Sequence, residues 1–221
     1  MPVGNFNDKA RVYYSAKKVE RNGKESAAIV SKTADGTIEH HGYLEGYISD
    51  IVVRDDTYQG APFKKLEVVF ESDFCREIFS VGMTSGPARD ILLKVPTVVD
   101  FAKQIVRFTP FLSEPDKLGT QYLRIGVRIN GEKAGYAFER EQVPQIDLVK
   151  LPSGLEVKDT TVRDNFFLSI AKDLHERLNK KASVEMDVYN EDDELDAANR
   201  LITSEPVYST KGKKAKDGVP F

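Results

Sequence analysis

In the run Tyr122-Leu123-Arg124-Ile125-Gly126-Val127-Arg128-Ile129, polar and apolar side chains alternate. A strand sends successive side chains to opposite faces, so Leu123, Ile125, Val127 and Ile129 share one face and Tyr122, Arg124, Gly126 and Arg128 the other. An aromatic ring beside two guanidinium groups on a solvent face suits a nucleic-acid surface. Bases stack on the ring, cations attract phosphates, and neither contact reads sequence. Such stacking is worth ~1–3 kcal/mol per base. Gly126 would let a base or backbone come close. Phe63 and Lys65 on a second predicted strand, with Tyr43 and Tyr47 on a third, extend the same chemistry. The bland alternative is a sheet surface on which Tyr and Arg brace cross-strand pairs.

Catalytic groupings are sparse. Glu39-His40-His41 is the one acid–histidine cluster, but adjacent residues of a strand face opposite ways, and a metal needs three or four converging ligands. His175 falls among charged neighbours on a predicted helix and reads as a surface residue. Cys75 has Arg76 beside it, which could lower a thiol pKa, without the partners of a catalytic cysteine. Gly82-Met83-Thr84-Ser85-Gly86 lacks the Gly-Lys-Ser/Thr ending of a phosphate loop. Asp50, Asp55 and Asp56 fit a strand end and an Asx-rich turn. The expectation is a non-enzyme without metal or cofactor.

The elements that must position these residues are mostly strands. Arg11–Glu20 and Ser26–Thr33 flank Asn22-Gly23, a hairpin turn signal. Tyr43–Arg54 carries an interior Gly46, which suggests a bulge or bend, and turns through residues 55–60. Phe63–Phe70 places Leu66, Val68 and Phe70 opposite Phe63, Lys65 and Glu67; Glu77–Met83 is a further strand. Pro96-Thr97 reads as a helix start for Val98–Phe108, with Val98, Phe101, Ala102, Ile105 and Val106 on one side. After a loop over 110–119 comes Tyr122–Ile129, then Asn130-Gly131 and a return strand Lys133–Arg140, with another strand through Gln145–Leu151. Arg163–Lys181 is the clearest helix, with Phe166, Phe167, Ile170, Leu174 and Leu178 at helical spacing. Strand, strand, strand, helix, strand, strand is the order of an OB-fold. The predicted fold is therefore mainly β (α+β): a five-stranded OB-fold-like barrel with an N-terminal hairpin and a C-terminal helix.

The chain has 221 residues, 40% apolar and 30% charged, enough for one core. No apolar run approaches the ~20 residues of a membrane span and no signal peptide opens the sequence. A lone cysteine fits a reducing, cytoplasmic compartment. The net charge of −3 gives no global sign of a polyanion partner. Residues 182–221, however, hold nine acids and five bases, the acids concentrated before Asp196 and the lysines after Thr210. The expected organisation is a binding domain over 1–181 and a solvated tail over 182–221. The acidic run 185–196 reads as a solubilising linker, or as a mimic of nucleic acid that competes for a basic groove. Lys211–Lys216 could add attraction to phosphates at low salt.

The sequence ends Asp217-Gly218-Val219-Pro220-Phe221. A terminal Phe after Val-Pro is a compact peptide ligand: Pro limits the entropy lost on binding, Phe fills a pocket, and the carboxylate pairs with a cation. These five residues resemble the tip of bacterial and bacteriophage single-stranded DNA-binding proteins, which typically ends Asp-Asp-Ile-Pro-Phe. Asp217, Pro220 and Phe221 match, Val219 replaces Ile, and Gly218 stands where a second acid is usual. The chain also lacks the Trp on which that family commonly stacks bases. The resemblance implies an OB-fold core that binds single-stranded DNA of any sequence, in phage or bacterial replication, recombination or repair. It also implies that Asp217, Val219, Pro220 and Phe221 recruit replication or repair proteins; a homo-oligomer is a further expectation. The alternative is a β-rich phage structural or assembly protein that binds no nucleic acid.

Overall fold

The computed structural model describes residues 10–33, 35–71 and 75–180. They fall within the first of the two units into which the chain divides, Met1–Lys180 and Lys181–Phe221. The tip residues Asp217, Val219, Pro220 and Phe221, the acidic run and the lysine run lie outside the described residues.

Strands β1 (Ala10–Arg21) and β2 (Lys24–Lys32) form the predicted N-terminal hairpin. Asn22 and Gly23, at φ 51° and 72°, supply its two left-handed turn residues. β3 (Ile38–His41) pairs with β2. β4 (Leu44–Tyr58) and β5 (Ala61–Glu71) make a longer hairpin, closed by Gln59-Gly60 in the same left-handed conformation. β6 (Cys75–Gly82) returns along β5 and leads into α1 (Gly86–Lys94), where the Ser85 side chain accepts the Ala88 N–H at 3.3 Å. β7 (Val106–Leu112), β8 (Leu123–Ile129) and a short β9 (Glu132–Lys133) complete one sheet. Its order is β3-β2-β1-β6-β5-β4-β7-β8-β9. β1 and β6 run parallel; every other pair among the described residues is antiparallel. β10 (Asp147–Lys150) and β11 (Glu156–Asp159) form a separate hairpin, and α2 spans residues 161–180.

The fold is thus mainly β with a C-terminal helix, but the sheet has nine strands and does not close, where a five-stranded barrel was expected. The predicted helix over Val98–Phe108 is also absent. Val98 and Phe101 belong to a turn after α1, while Val106 and Phe108 alternate inward on β7. Two different elements together imitate helical spacing. Pro96 closes α1 in a 3-10 turn, Val95–Thr97, and opens no helix. Pro110 sits within β7, tolerated because β4 pairs with β7 only over Val106–Phe108 and leaves that edge free beyond. β4 continues through the predicted turn to Tyr58. Its bulge falls between Ile48 and Asp50, three residues past Gly46. Gly46 answers a different need: a Cβ there would lie 3.3 Å from the Phe70 ring. Of the predicted return strand, Glu132 and Lys133 pair with β8 and the Ala134 N–H still reaches the Val127 C=O at 3.0 Å; the chain then leaves to bond α1, Ala137 N–H to Leu93 C=O at 2.8 Å.

The core forms where the inward faces of the strands meet the two helices. Phe70, Phe79 and Phe108 are fully buried and pack edge to face, with centroids 5.3–5.4 Å apart. Phe167, Ile170, Ala171, Leu174 and Leu178 carry the buried face of α2 into the same cluster. Arg177 fastens this helix to the Val98 carbonyl at 2.9 Å, and His175 Nδ1 lies 2.7 Å from Asp50 Oδ1. His175 therefore does more than sit on the surface.

Candidate nucleic-acid interface

β8 turns its sides as predicted: Ile125 and Val127 are buried, while Arg124, Gly126 and Arg128 face out. The register with β7 places Phe111 opposite Arg124, Thr109 opposite Gly126 and Arg107 opposite Arg128. Cross-strand partners share a face, so Phe111, Thr109 and Arg107 join the outward row. Lys94, at the end of α1, and Lys133 and Tyr136, beyond the β8–β9 turn, close around it. The result is a groove of about 320 Å³ lined by these two lysines and two aromatics with Thr109, Gly126, Val127 and Arg128. Its floor is Gly126, whose missing side chain leaves room. Phe111 and Tyr136 are 45% and 63% exposed, too open for core residues. No carboxylate lines the groove.

The cations differ in how free they are. Lys94 makes no salt bridge among the described residues, and its Nζ lies 5.2 Å from the centroid of the Tyr136 ring. Burial holds its pKa below the ordinary lysine value, although Asp90 pulls the other way. Arg128 donates to the Gly131 carbonyl at 2.8 Å and stays exposed. Arg107 stacks over Tyr43 at 4.4 Å and is paired with Glu45, whose hydrogen bond raises its pKa.

The structure brings only some of the sequence-predicted residues together. Arg128 lines the groove, and Tyr43, one residue before the Leu44–Phe108 pair, lies on its flank through Arg107. Tyr122 is exposed at the start of the same row, where its hydroxyl donates to Asp116 at 2.9 Å. Arg124 faces outward but is committed. Its Nε and a terminal nitrogen donate to Asp90 at 2.8 and 2.6 Å, and Asp90 also accepts the Ile125 N–H at 2.9 Å. Tyr47 lies on β4 opposite Glu71, one residue past the Gly46–Val106 pair, and does not line the groove. Phe63 and Lys65 sit toward the other end of the β4–β5 hairpin, opposite Asp56 and Arg54, with Lys65 bridged to Asp56 and Glu67. They form no part of this groove.

Sequence reasoning missed Lys94, Phe111, Lys133 and Tyr136. The available signal was Phe111: with β7 read as a strand, it alternates outward against buried Phe108 and Pro110. Among the described residues, no group of three or more His, Cys, Asp or Glu is placed to hold a metal ion, and no helix is long and apolar enough to cross a membrane. His41 Nε2 lies 3.0 Å from the Ser31 hydroxyl, and the ring packs against Tyr14. Comparison of the chain with protein-family models, curated proteins and solved structures gives no match.

Proposed function

We propose that the chain is a non-catalytic protein that binds single-stranded DNA without sequence preference, through the groove on β7 and β8. The observation that carries this reading is the lining itself: two exposed aromatics and three cations around a glycine floor, with no acid. Phe111 and Tyr136 offer faces on which bases stack; Arg128 and Lys133, both exposed, follow the phosphates, and the buried Lys94 adds its charge. No Asn or Gln, the side chains that set a donor and an acceptor against one base edge, lines the groove. The order of β4, β5, β6, α1, β7 and β8, with bulged β4 between β5 and β7, supports reading the core as a variant OB-fold in which β1 occupies the free side of the third strand. On this reading Asp217, Val219, Pro220 and Phe221 recruit replication, recombination or repair proteins.

The test is a fluorescence titration with oligo-dT at several salt concentrations. Two exposed phosphate-tracking cations give a slope of log K against log salt of roughly −1.4 for a single strand. Absence of saturable binding at roughly 50 mM salt overturns the proposal.

A β-rich phage structural or assembly component is the second reading, and the β10–β11 hairpin favours it. Leu148, Val149 and Val157 on its strands, with Leu151 and Leu155 in its turn, are all exposed. The same titration separates the two.

A further inference from the structure

A second cavity, of about 790 Å³, lies between β1 and β6 on one side and β8 on the other, along α1 from its start to Leu93. It shares no lining residue with the groove. Leu93 and Phe167 belong to its apolar wall, and three guanidinium groups, from Arg89, Arg124 and Arg163, line it. Asp90 neutralises Arg124 through two hydrogen bonds. Arg89 and Arg163 have no such relief. Neither makes a salt bridge among the described residues, and the Nε of each is buried without a hydrogen-bond partner. Burial, and then the charge of Arg163, hold the Arg89 guanidinium below its ordinary pKa. Asp164 acts on Arg89 in the opposite sense without bridging it, and its Oδ2 takes the Thr160 hydroxyl at 2.6 Å. A folded protein rarely leaves buried donors unmade, and two such donors beside mutually repelling cations mark a site built for an acceptor that carries negative charge.

We propose that this cavity binds a phosphomonoester, with its phosphate between Arg89 and Arg163 and its organic body against Leu93 and Phe167. A carboxylate offers two oxygens and a single negative charge, which answers one guanidinium fork and one cation. A phosphomonoester presents three oxygens and close to two negative charges at neutral pH, matching two forks and two cations. The start of α1 adds little: Pro87 has no N–H, and those of Ala88 and Arg89 are taken by Ser85. A volume of this size accommodates a mononucleotide. The phosphomonoester comes either from a free mononucleotide or from the 5′ end of a strand.

Calorimetric titration of the full chain tests this with thymidine 5′-monophosphate, thymidine, and oligo-dT with and without a 5′-phosphate. The expected result is that a 5′-phosphate raises affinity by about tenfold or more, for the nucleotide over thymidine or for the phosphorylated over the unphosphorylated strand. Arg89→Gln and Arg163→Gln each remove that gain, and Arg163→Lys, which keeps the charge but lacks the fork, reduces it. A gain for the nucleotide alone identifies the free molecule as the source; a gain for the strand identifies its end. In the unmodified protein, the Nε–H resonances of Arg89 and Arg163 shift on titration, which keeps the test valid if a variant fails to fold. Equal affinity with and without the phosphate in both pairs overturns the proposal, as does an undiminished gain in folded glutamine variants. Groove variants leave the phosphate gain for the nucleotide in place, so loss of strand binding and loss of this site are separable.

Discussion

Arg124 and Phe111 face each other across β8 and β7, and the two side chains do different work. Arg124 neutralises Asp90, which is 1% exposed, so removing it leaves a buried carboxylate with only the Ile125 N–H. Arg124→Ala is expected to lower stability in urea unfolding by about 2–3 kcal/mol, below the usual cost of breaking a buried pair because Arg124 is itself 40% exposed. Phe111→Ala and Tyr136→Ala leave the unfolding midpoint nearly unchanged, and each weakens oligo-dT by the ~1–3 kcal/mol of one stacked base in an anisotropy titration. Tyr14 carries a pH dependence. Its hydroxyl donates to Glu77 Oε1 at 3.1 Å, and burial followed by that carboxylate pushes its pKa from 10.0 up to about 12. The unfolded chain ionises first, so between these values the folded state holds more protons. Its contribution to stability is therefore complete below pH 10 and falls as pH rises toward 12. Urea midpoints measured across that window should decline, and Tyr14→Phe should flatten the decline.

Between strands, the decisive feature is the side chain that β8 lacks at its centre. A Cβ on Gly126 would meet the Thr109 carbonyl oxygen at 3.5 Å, an ordinary contact, so a larger residue fits the sheet and fills the groove. Gly126→Val is expected to hold stability within about 0.5 kcal/mol while reducing oligo-dT affinity by about tenfold. Equal affinity would show that the strand does not use this floor. The same element shows what a sequence reveals. Asn22-Gly23 and Asn130-Gly131 announced their turns because left-handed backbone is costly for most other residue pairs, and α2 was legible because its apolar residues recur on one face. β7 was obscured where Val98 and Phe101 of a turn adjoin Val106 and Phe108 of a strand. The groove was half legible. Arg128 and Gly126 lie on one strand, but Lys94, Phe111 and Tyr136 come from separate elements that meet only through the register and the exit of the chain after β9. The fate of Arg124 depended on Asp90, far away in sequence.

Across the whole molecule, the groove depends on a sheet whose strands are joined out of chain order. β1 pairs locally with β2 but inserts beside β6, Ala10 against Cys75 and Tyr14 against Phe79. Contacts of such long sequence separation carry loop-closure entropy before they gain anything, so stopped-flow refolding is expected on the ~millisecond-to-second scale of β-rich domains. A complete return of native signal within microseconds would contradict that topology. The parallel seam has a consequence during synthesis. The first hairpin leaves the ribosome with one edge of β1 bare, and its neighbour β6 ends only at Gly82. At ~5–20 residues per second, that edge waits on the order of several seconds for its partner. Beyond Tyr14, where no strand of β6 ever arrives, β1 carries Lys17, Lys18, Glu20 and Arg21. Those charges shield the newborn edge from pairing with another nascent chain on the same message.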